Sequence, residues 1–185
     1  MDSLAASERF TVYQEEGPQS APLDGDPGGD TNWGITLARL SEWRGYKCAP
    51  SEVYALTYDE AAAIFHTGYY NALRCDAMWP GLDLMVADHG FKCGLGSSSR
   101  VLQTILTVDV DGRIGPKTLG AVGMVNDHKA FLARLRLAQE TDYRSKGNFD
   151  RFGLEWIGDP AGRDDWHIKG RLGRRYEAAL TLVSP

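Results

Sequence analysis

Residues 15–36 read EEGPQSAPLDGDPGGDTNWGIT, with three prolines, five glycines and three aspartates among them. Those residue types build turns and hairpins and do not continue a helix. Upstream, residues 4–16 suit a short helix with Leu4, Phe10 and Tyr13 available to one face. Downstream, Ile35, Leu37, Leu40 and Trp43 recur at helical spacing. The stretch therefore predicts a helix, a hairpin and a second helix. Glu16, at the end of the first helix, faces a cleft once the hairpin folds back over it. Asp26 and Thr31 on that hairpin then point at the same volume. Glycoside hydrolysis needs such a set: a protonated carboxylic acid at the leaving oxygen, and a second group that stabilises the cation or positions water. Apolar walls around Glu16 would raise its pKa, as an acid working near neutral pH requires. Taken singly, Asp-Pro-Gly-Gly is a generic turn and a glutamate near a helix end is commonplace. Their order and spacing carry the reading.

Elsewhere helix signals dominate. Thr57-Tyr58-Asp59-Glu60 has the capping-box pattern and precedes AAAIFHTGYYNAL. Asp83 to Phe91 and Ser98 to Leu106 suit two further helices. Asn126 or Asp127 can cap a long helix running to about Arg144, with Phe131, Leu135 and Ala138 in one stripe. A last helix covers roughly Gly170 to Leu182. Within VDGRIGPKTLGAV, Asp111-Gly112 is a turn, Gly115-Pro116 starts a helix and Thr118 supports it. Strand signals are confined to the region near residues 20–36. The class is mainly α, formally α+β.

Of 185 residues, 43% are apolar and 24% charged, enough for a packed core. No apolar run approaches the roughly 20 residues of a membrane span. The N-terminus shows no basic segment followed by an apolar one, so no signal peptide is expected and the protein is expected in a cytoplasm. Cys48, Cys75 and Cys93 are odd in number and outside any CxxC pair, which argues against a disulfide scaffold and a zinc site and for buried thiols. Residues 1–95 carry 6 basic and 14 acidic side chains, residues 96–185 carry 14 and 11, so only the second half mildly attracts a polyanion. His66, His89, His128 and His167 form no HExxH pair, and GLGSSS at 94–99 has neither the order of a serine-hydrolase elbow nor that of a phosphate loop. No basic cluster interleaved with aromatics points to nucleic acid.

The 15–36 stretch resembles the N-terminal signature of the glycoside hydrolase 108 phage lysozymes, approximately EGG, a short variable stretch, then DPGGxTxxGIT. YYNALRCDAM is similar to the family's segment after its capped helix, and DHGFKCG followed by VLQ to its next helix pair. VDGRIGPKTLGAV is like the DGxxGPxT core of the associated predicted peptidoglycan-binding region. The resemblance runs from about residue 10 to 125, with a fainter echo at GRLGRRY. It implies a lysozyme-like fold of two lobes with a small β-hairpin near the N-terminus. Residues 1–95 would form the catalytic lobe and 96–185 a helical C-terminal lobe that either binds wall or completes the fold.

Position by position, Glu16 matches the family's catalytic glutamate, while Asp26 and Thr31 match the hairpin residues. Thr31 would hold a water that Asp26 activates. The implied activity is that of an endolysin, an N-acetylmuramidase cleaving the β-1,4 bond between N-acetylmuramic acid and N-acetylglucosamine. A lytic transglycosylase, or a non-catalytic wall-binding or virion protein, has the same fold. The chemistry requires no cofactor and no metal. The implied partner is bacterial peptidoglycan, reached with a holin or on a virion, by a chain expected to be monomeric.

Several residues depart from the family pattern. Pro18 stands for the second glycine, Lys92 for an asparagine and Arg171 for a tryptophan, and the loop before DPGG is one residue longer. The longer loop leaves Glu15 a rival to Glu16. Trp33 and Tyr70 are candidates for stacking on sugar faces, with core packing the equal alternative. Tyr69 reads as core. Asp88 reads as a third acid in the cleft or, more simply, as a surface ion pair on a helix.

Overall fold

The computed structural model describes residues 2–20, 29–158 and 165–183, of which 165–169 by backbone alone. Two compact units divide the chain: Glu8–Gly68, and Met1–Ser7 together with Tyr69–Pro185.

In the chain α1 (Ser3–Glu8) is followed by a π-helical segment of the smaller unit, Arg9–Glu16. The change of register explains a departure from the expected stripe. Phe10, Thr11 and Val12 are buried in succession, whereas Tyr13 is 56% exposed. A single residue face at 3.6-residue spacing does not survive the wider π turn. β1 (Thr31–Asn32) and β2 (Ile35–Thr36) pair antiparallel, Thr31 opposite Thr36 and Asn32 opposite Ile35. Between them Trp33 and Gly34 both take positive φ, 54° and 73°. Two left-handed residues give the tight turn whose twist matches a hairpin.

α2 (Leu37–Arg44) starts on Thr36, whose side chain accepts the Arg39 N–H, and ends at Gly45 in the left-handed conformation. α3 (Pro50–Tyr54) is a short helix with proline in its first turn. α4 (Tyr58–Phe65) is capped by the Thr57 hydroxyl, which accepts the Glu60 N–H at 3.3 Å. The Glu60 carboxylate meets Arg44 twice, at 2.9 and 2.8 Å. Ile35, Leu40, Val53, Leu56, Ile64 and Phe65 close this core.

Among its described residues the larger unit has helices and no strand: α5 (Leu82–Cys93), α6 (Leu95–Leu106), α7 (Pro116–Gly123), α8 (His128–Arg144), α9 (Phe149–Ile157) and α10 (Asp165–Leu182). α5 is its axis, packed against α6, α8 and α10. Every residue from Leu82 to Gly90 is buried, as expected of a helix enclosed on all sides. Asp127 caps α8 by accepting the Ala130 N–H at 2.9 Å. The buried stripe of α8 continues from Leu135 into Gln139 and Tyr143, not Ala138. The helical break in α10 falls at Gly170, φ 57° and ψ 176°. A Cβ there would lie 2.1 Å from the Gly158 backbone nitrogen, so only glycine allows this crossing.

The polar ends of the α8 stripe have a reason. Asp88, expected on a helix surface, is fully buried on α5. It accepts from Arg171 Nη2 at 2.5 Å and from Arg175 Nη1 at 2.6 Å, both arginines being equally buried on α10. Arg175 also donates to Gln139 Oε1 at 2.8 Å, and Gln139 donates to the Met85 carbonyl at 2.9 Å. Burial by itself would raise the Asp88 carboxyl, but the two guanidiniums outweigh it and hold its pKa well below the usual carboxylate range. On the next residue, burial pushes the His89 pKa down to about 4 against the opposing pull of Asp142.

Two outcomes are expected. Asp88→Ala removes the carboxylate that both buried guanidiniums bond and lowers unfolding free energy in urea by about 3–5 kcal/mol. Glu42→Ala, which removes the exposed Arg39–Glu42 pair, costs less than about 1 kcal/mol. A third outcome concerns pH. The folded His89 pKa lies below its unfolded value of 6.5, so the unfolded chain takes up that proton first. Stability is therefore full above about pH 6.5 and declines as pH falls toward 4. Asp88 extends the decline below its ordinary pKa of 3.8. Melting temperature against pH checks both, and His89→Gln flattens the upper part of the curve.

Candidate active site

Glu16 is the last residue of the π-helical segment and is half-buried. Gly17 follows at φ 64° and returns its N–H to the Val12 carbonyl at 3.0 Å, so the chain turns sharply after the carboxylate. π-Type turns inside helices occur frequently at functional sites because they project a side chain out of the regular register. Glu15 precedes it and is also half-buried. Pro18 is exposed, one residue beyond the turn.

The hairpin is tied to this turn by one amide. Asn32 Oδ1 accepts the Gln19 N–H at 2.8 Å, three residues beyond Glu16. Its Nδ2 faces the carbonyls of Val53, Tyr54 and Leu56 at 3.1, 3.3 and 3.4 Å. One buried side chain thus joins the segment after the acid, the hairpin and the end of α3. Sequence reasoning passed over Asn32, which sits at a variable position of the DPGGxTxxGIT pattern. A buried asparagine in a tight hairpin was the available signal.

Thr31 is mostly buried and its hydroxyl donates to the Gly29 carbonyl at 3.1 Å. Donating that proton leaves the Thr31 oxygen able to accept from a water. Asp30 accepts from the Tyr54 hydroxyl at 2.6 Å. Burial, then this hydrogen bond, push the Tyr54 pKa up to about 12. Asp26 lies outside the described residues.

Trp33 donates its indole N–H to the Leu56 carbonyl at 3.1 Å, which fixes the ring. Tyr13, on the same π-helical segment as Glu16, stacks near-parallel on it with centroids 6.0 Å apart. Tyr58 meets both rings edge-on at 5.8 and 5.7 Å. Tyr13 and Tyr58 escaped the sequence reading because residues 13, 33 and 58 share no periodicity. Three rings with the outer one largely open to solvent form a platform of the kind that packs against pyranose C–H faces. A tryptophan at φ 54° is also uncommon, and strain of this sort concentrates at binding sites.

Tyr70 is placed differently. It belongs to the larger unit, is buried, and donates its hydroxyl to Asp83 Oδ2 at 2.7 Å. Asp83 also accepts from Ser3 and from the Gly81 N–H. Burial, then this hydrogen bond, hold the Tyr70 pKa well above the usual phenol range. In the VDGRIGPKT region the amide of Gln103 organises the loop. It donates to Asp111 at 2.7 Å and to the Arg113 carbonyl at 2.9 Å, and accepts the Gly112 N–H at 2.9 Å.

Residues 10–94 match the family described as Glycosyl hydrolase 108, and residues 97–145 the one described as Predicted Peptidoglycan domain. Among solved structures the chain is similar to that of Brucella abortus SagA, with TM-score 0.82 and 31% identity over 97% of this chain and 95% of that one. No curated protein matches.

Asn32→Asp keeps the shape and turns a donor toward three carbonyls into an acceptor. It is expected to cost about 1–3 kcal/mol of stability, the usual penalty for an unpaired buried polar group. The same variant loses activity on peptidoglycan more steeply than its unfolded fraction accounts for, checked by clearing assays well below its melting temperature.

Proposed function

The chain belongs to the glycosyl hydrolase 108 family, and on that premise we propose that it is an N-acetylmuramidase with Glu16 as its general acid. The coarser activity follows from membership: a lysozyme-type glycosidase, with a mainly α lysozyme-like fold, that acts on peptidoglycan. The proposed bond is the β-1,4 link between N-acetylmuramic acid and N-acetylglucosamine. One observation supports this most: Glu16 closes the same π-helical segment whose Tyr13 stacks on the hairpin's Trp33. A glycan lying on that aromatic face is held beside the end of the helix that carries the acid.

In the proposed reaction Glu16 donates its proton to the glycosidic oxygen as the bond to the anomeric carbon lengthens. The Thr31 oxygen accepts a hydrogen bond from the attacking water, and Asp26 takes the other proton as general base. Water adds to the anomeric carbon, the proton from Glu16 stays on the leaving hydroxyl, and Glu16 recovers its own from solvent. The reading needs no cofactor. It makes the protein an endolysin that waits in the host cytoplasm for a holin, or that travels on a virion. Among the described residues no helix is long and apolar enough to cross a membrane.

Turbidity of purified Gram-negative peptidoglycan, followed with wild type and with Glu16→Gln, tests the assignment. Wild type clears the suspension and releases hydrated reducing ends, and Glu16→Gln is slower by about 100-fold or more. Equal clearing by both sends the role to Glu15. Fragments ending in an anhydro sugar make the enzyme a transglycosylase instead.

A further inference from the structure

We propose that His89, Cys93 and Asp142 form a binding site for a divalent ion of the zinc type, which clamps α5 to α8. The site lies wholly within the larger unit and uses none of the residues assigned to hydrolysis. His89 and Cys93 stand four residues apart, on one face of α5, and Asp142 approaches from the last turn of α8. One ligand atom from each residue lies within 4.8 Å of the other two. Tetrahedral zinc with bonds of roughly 2.0–2.3 Å holds its ligand atoms between about 3.3 and 3.8 Å apart. Small side-chain rotations are all that the present spacing requires.

An independent observation points the same way. His89 is fully buried, and neither ring nitrogen has an aligned hydrogen bond among the described residues. Nε2 does approach Asp142 Oδ2 to 3.1 Å, so the contact is a close pairing of two ligand atoms without the direction of a good hydrogen bond. A buried imidazole with misdirected nitrogens carries a desolvation cost that a metal bond removes. Burial keeps His89 neutral, the state a metal requires.

The donor set identifies the ion. One imidazole, one thiolate and one carboxylate suit zinc and its cobalt substitute, while magnesium and calcium take oxygen. Cys93 and Asp142 are only partly buried, which leaves the ion a way in. Burial pushes the Cys93 thiol up to about 11, so its proton leaves to solvent as the metal–sulfur bond forms. Three protein ligands leave a fourth position for water.

Without the ion, Lys146 supplies the positive charge. Its Nζ lies 3.0 Å from Asp142 Oδ2 and 2.8 Å from Ser97 Oγ, which itself donates to Asp142. Lys146 is partly exposed, just past the end of α8. It is therefore the ion's competitor, and removing it strengthens binding. Arg175, deeper in the core, stays on Asp88.

The test is a Co²⁺ titration of the full-length protein after chelator treatment, read by the thiolate-to-cobalt absorption band. One Co²⁺ per chain, displaced by Zn²⁺ and unaffected by excess Mg²⁺, is the expected result. Cys93→Ser, shown folded by its melting curve in chelator, loses the band. Asp142→Asn weakens binding about tenfold or more, and Lys146→Gln tightens it several-fold. A folded wild type without the band, or a band that persists in Cys93→Ser, overturns the site. Weaker binding in Lys146→Gln overturns the competition. None of these readings depends on wall-clearing activity, so they stand apart from the fate of Glu16.

Discussion

Asp88, a carboxylate without solvent contact, faces two guanidiniums that are equally enclosed, and the helical unit is arranged around this charge balance. Removing three ions from water is costly, and their attraction offsets that cost only when the geometry is good and the remaining donors are occupied. Here Arg171 approaches through Nε and Nη2, while Arg175 extends the network through Gln139 to the Met85 carbonyl. The chain of contacts runs from α10 to α5 and α8 and back to α5. A shift of α10 along its axis would carry both guanidiniums away from Asp88, so the network opposes a change of register. The break at Gly170, seated against Gly158, sets where that register begins.

The smaller unit relies on a different constraint. Its hairpin is only two residues long on each side, too short to be stable as an isolated ribbon. Asn32 supplies what the ladder lacks, with Gln19 on one side of its amide and three carbonyls on the other. The positive φ of Trp33 is held by the indole bond to Leu56 and by contacts with Tyr13 and Tyr58. Strain at one residue is thus offset by a rigid surround, and the result is an aromatic face fixed next to the helix that ends in Glu16.

Much of this was legible locally. Thr57 and Asp127 cap α4 and α8 as their patterns predict, and Pro116 opens α7. The strand signal near residues 20–36 pointed to a hairpin there, and Leu40 is core as its helical spacing predicts, whereas Ile35 is buried from β2 and Trp43 is exposed. Other features left weaker traces. α3 has five residues, less than two helical turns, and shows no periodicity. Tyr13 faces outward because the helix widens at Arg9, and no residue there announces a π register. Arg171, read as a departure at a tryptophan position, is one of the two counter-ions of Asp88.

The sequence by itself determined the helical class, the helix caps, the hairpin and the order of Glu16, Thr31 and Trp33, because each follows from interactions within a few residues. Only the tertiary structure decided that Asp88 is a core ion, since its partners lie 83 and 87 residues away. It alone gathered Tyr13, Trp33 and Tyr58 into one face, and brought Asp142 to His89 and Cys93. Burial and pairing across such distances depend on which helix faces close on one another. No local pattern of side chains records that choice.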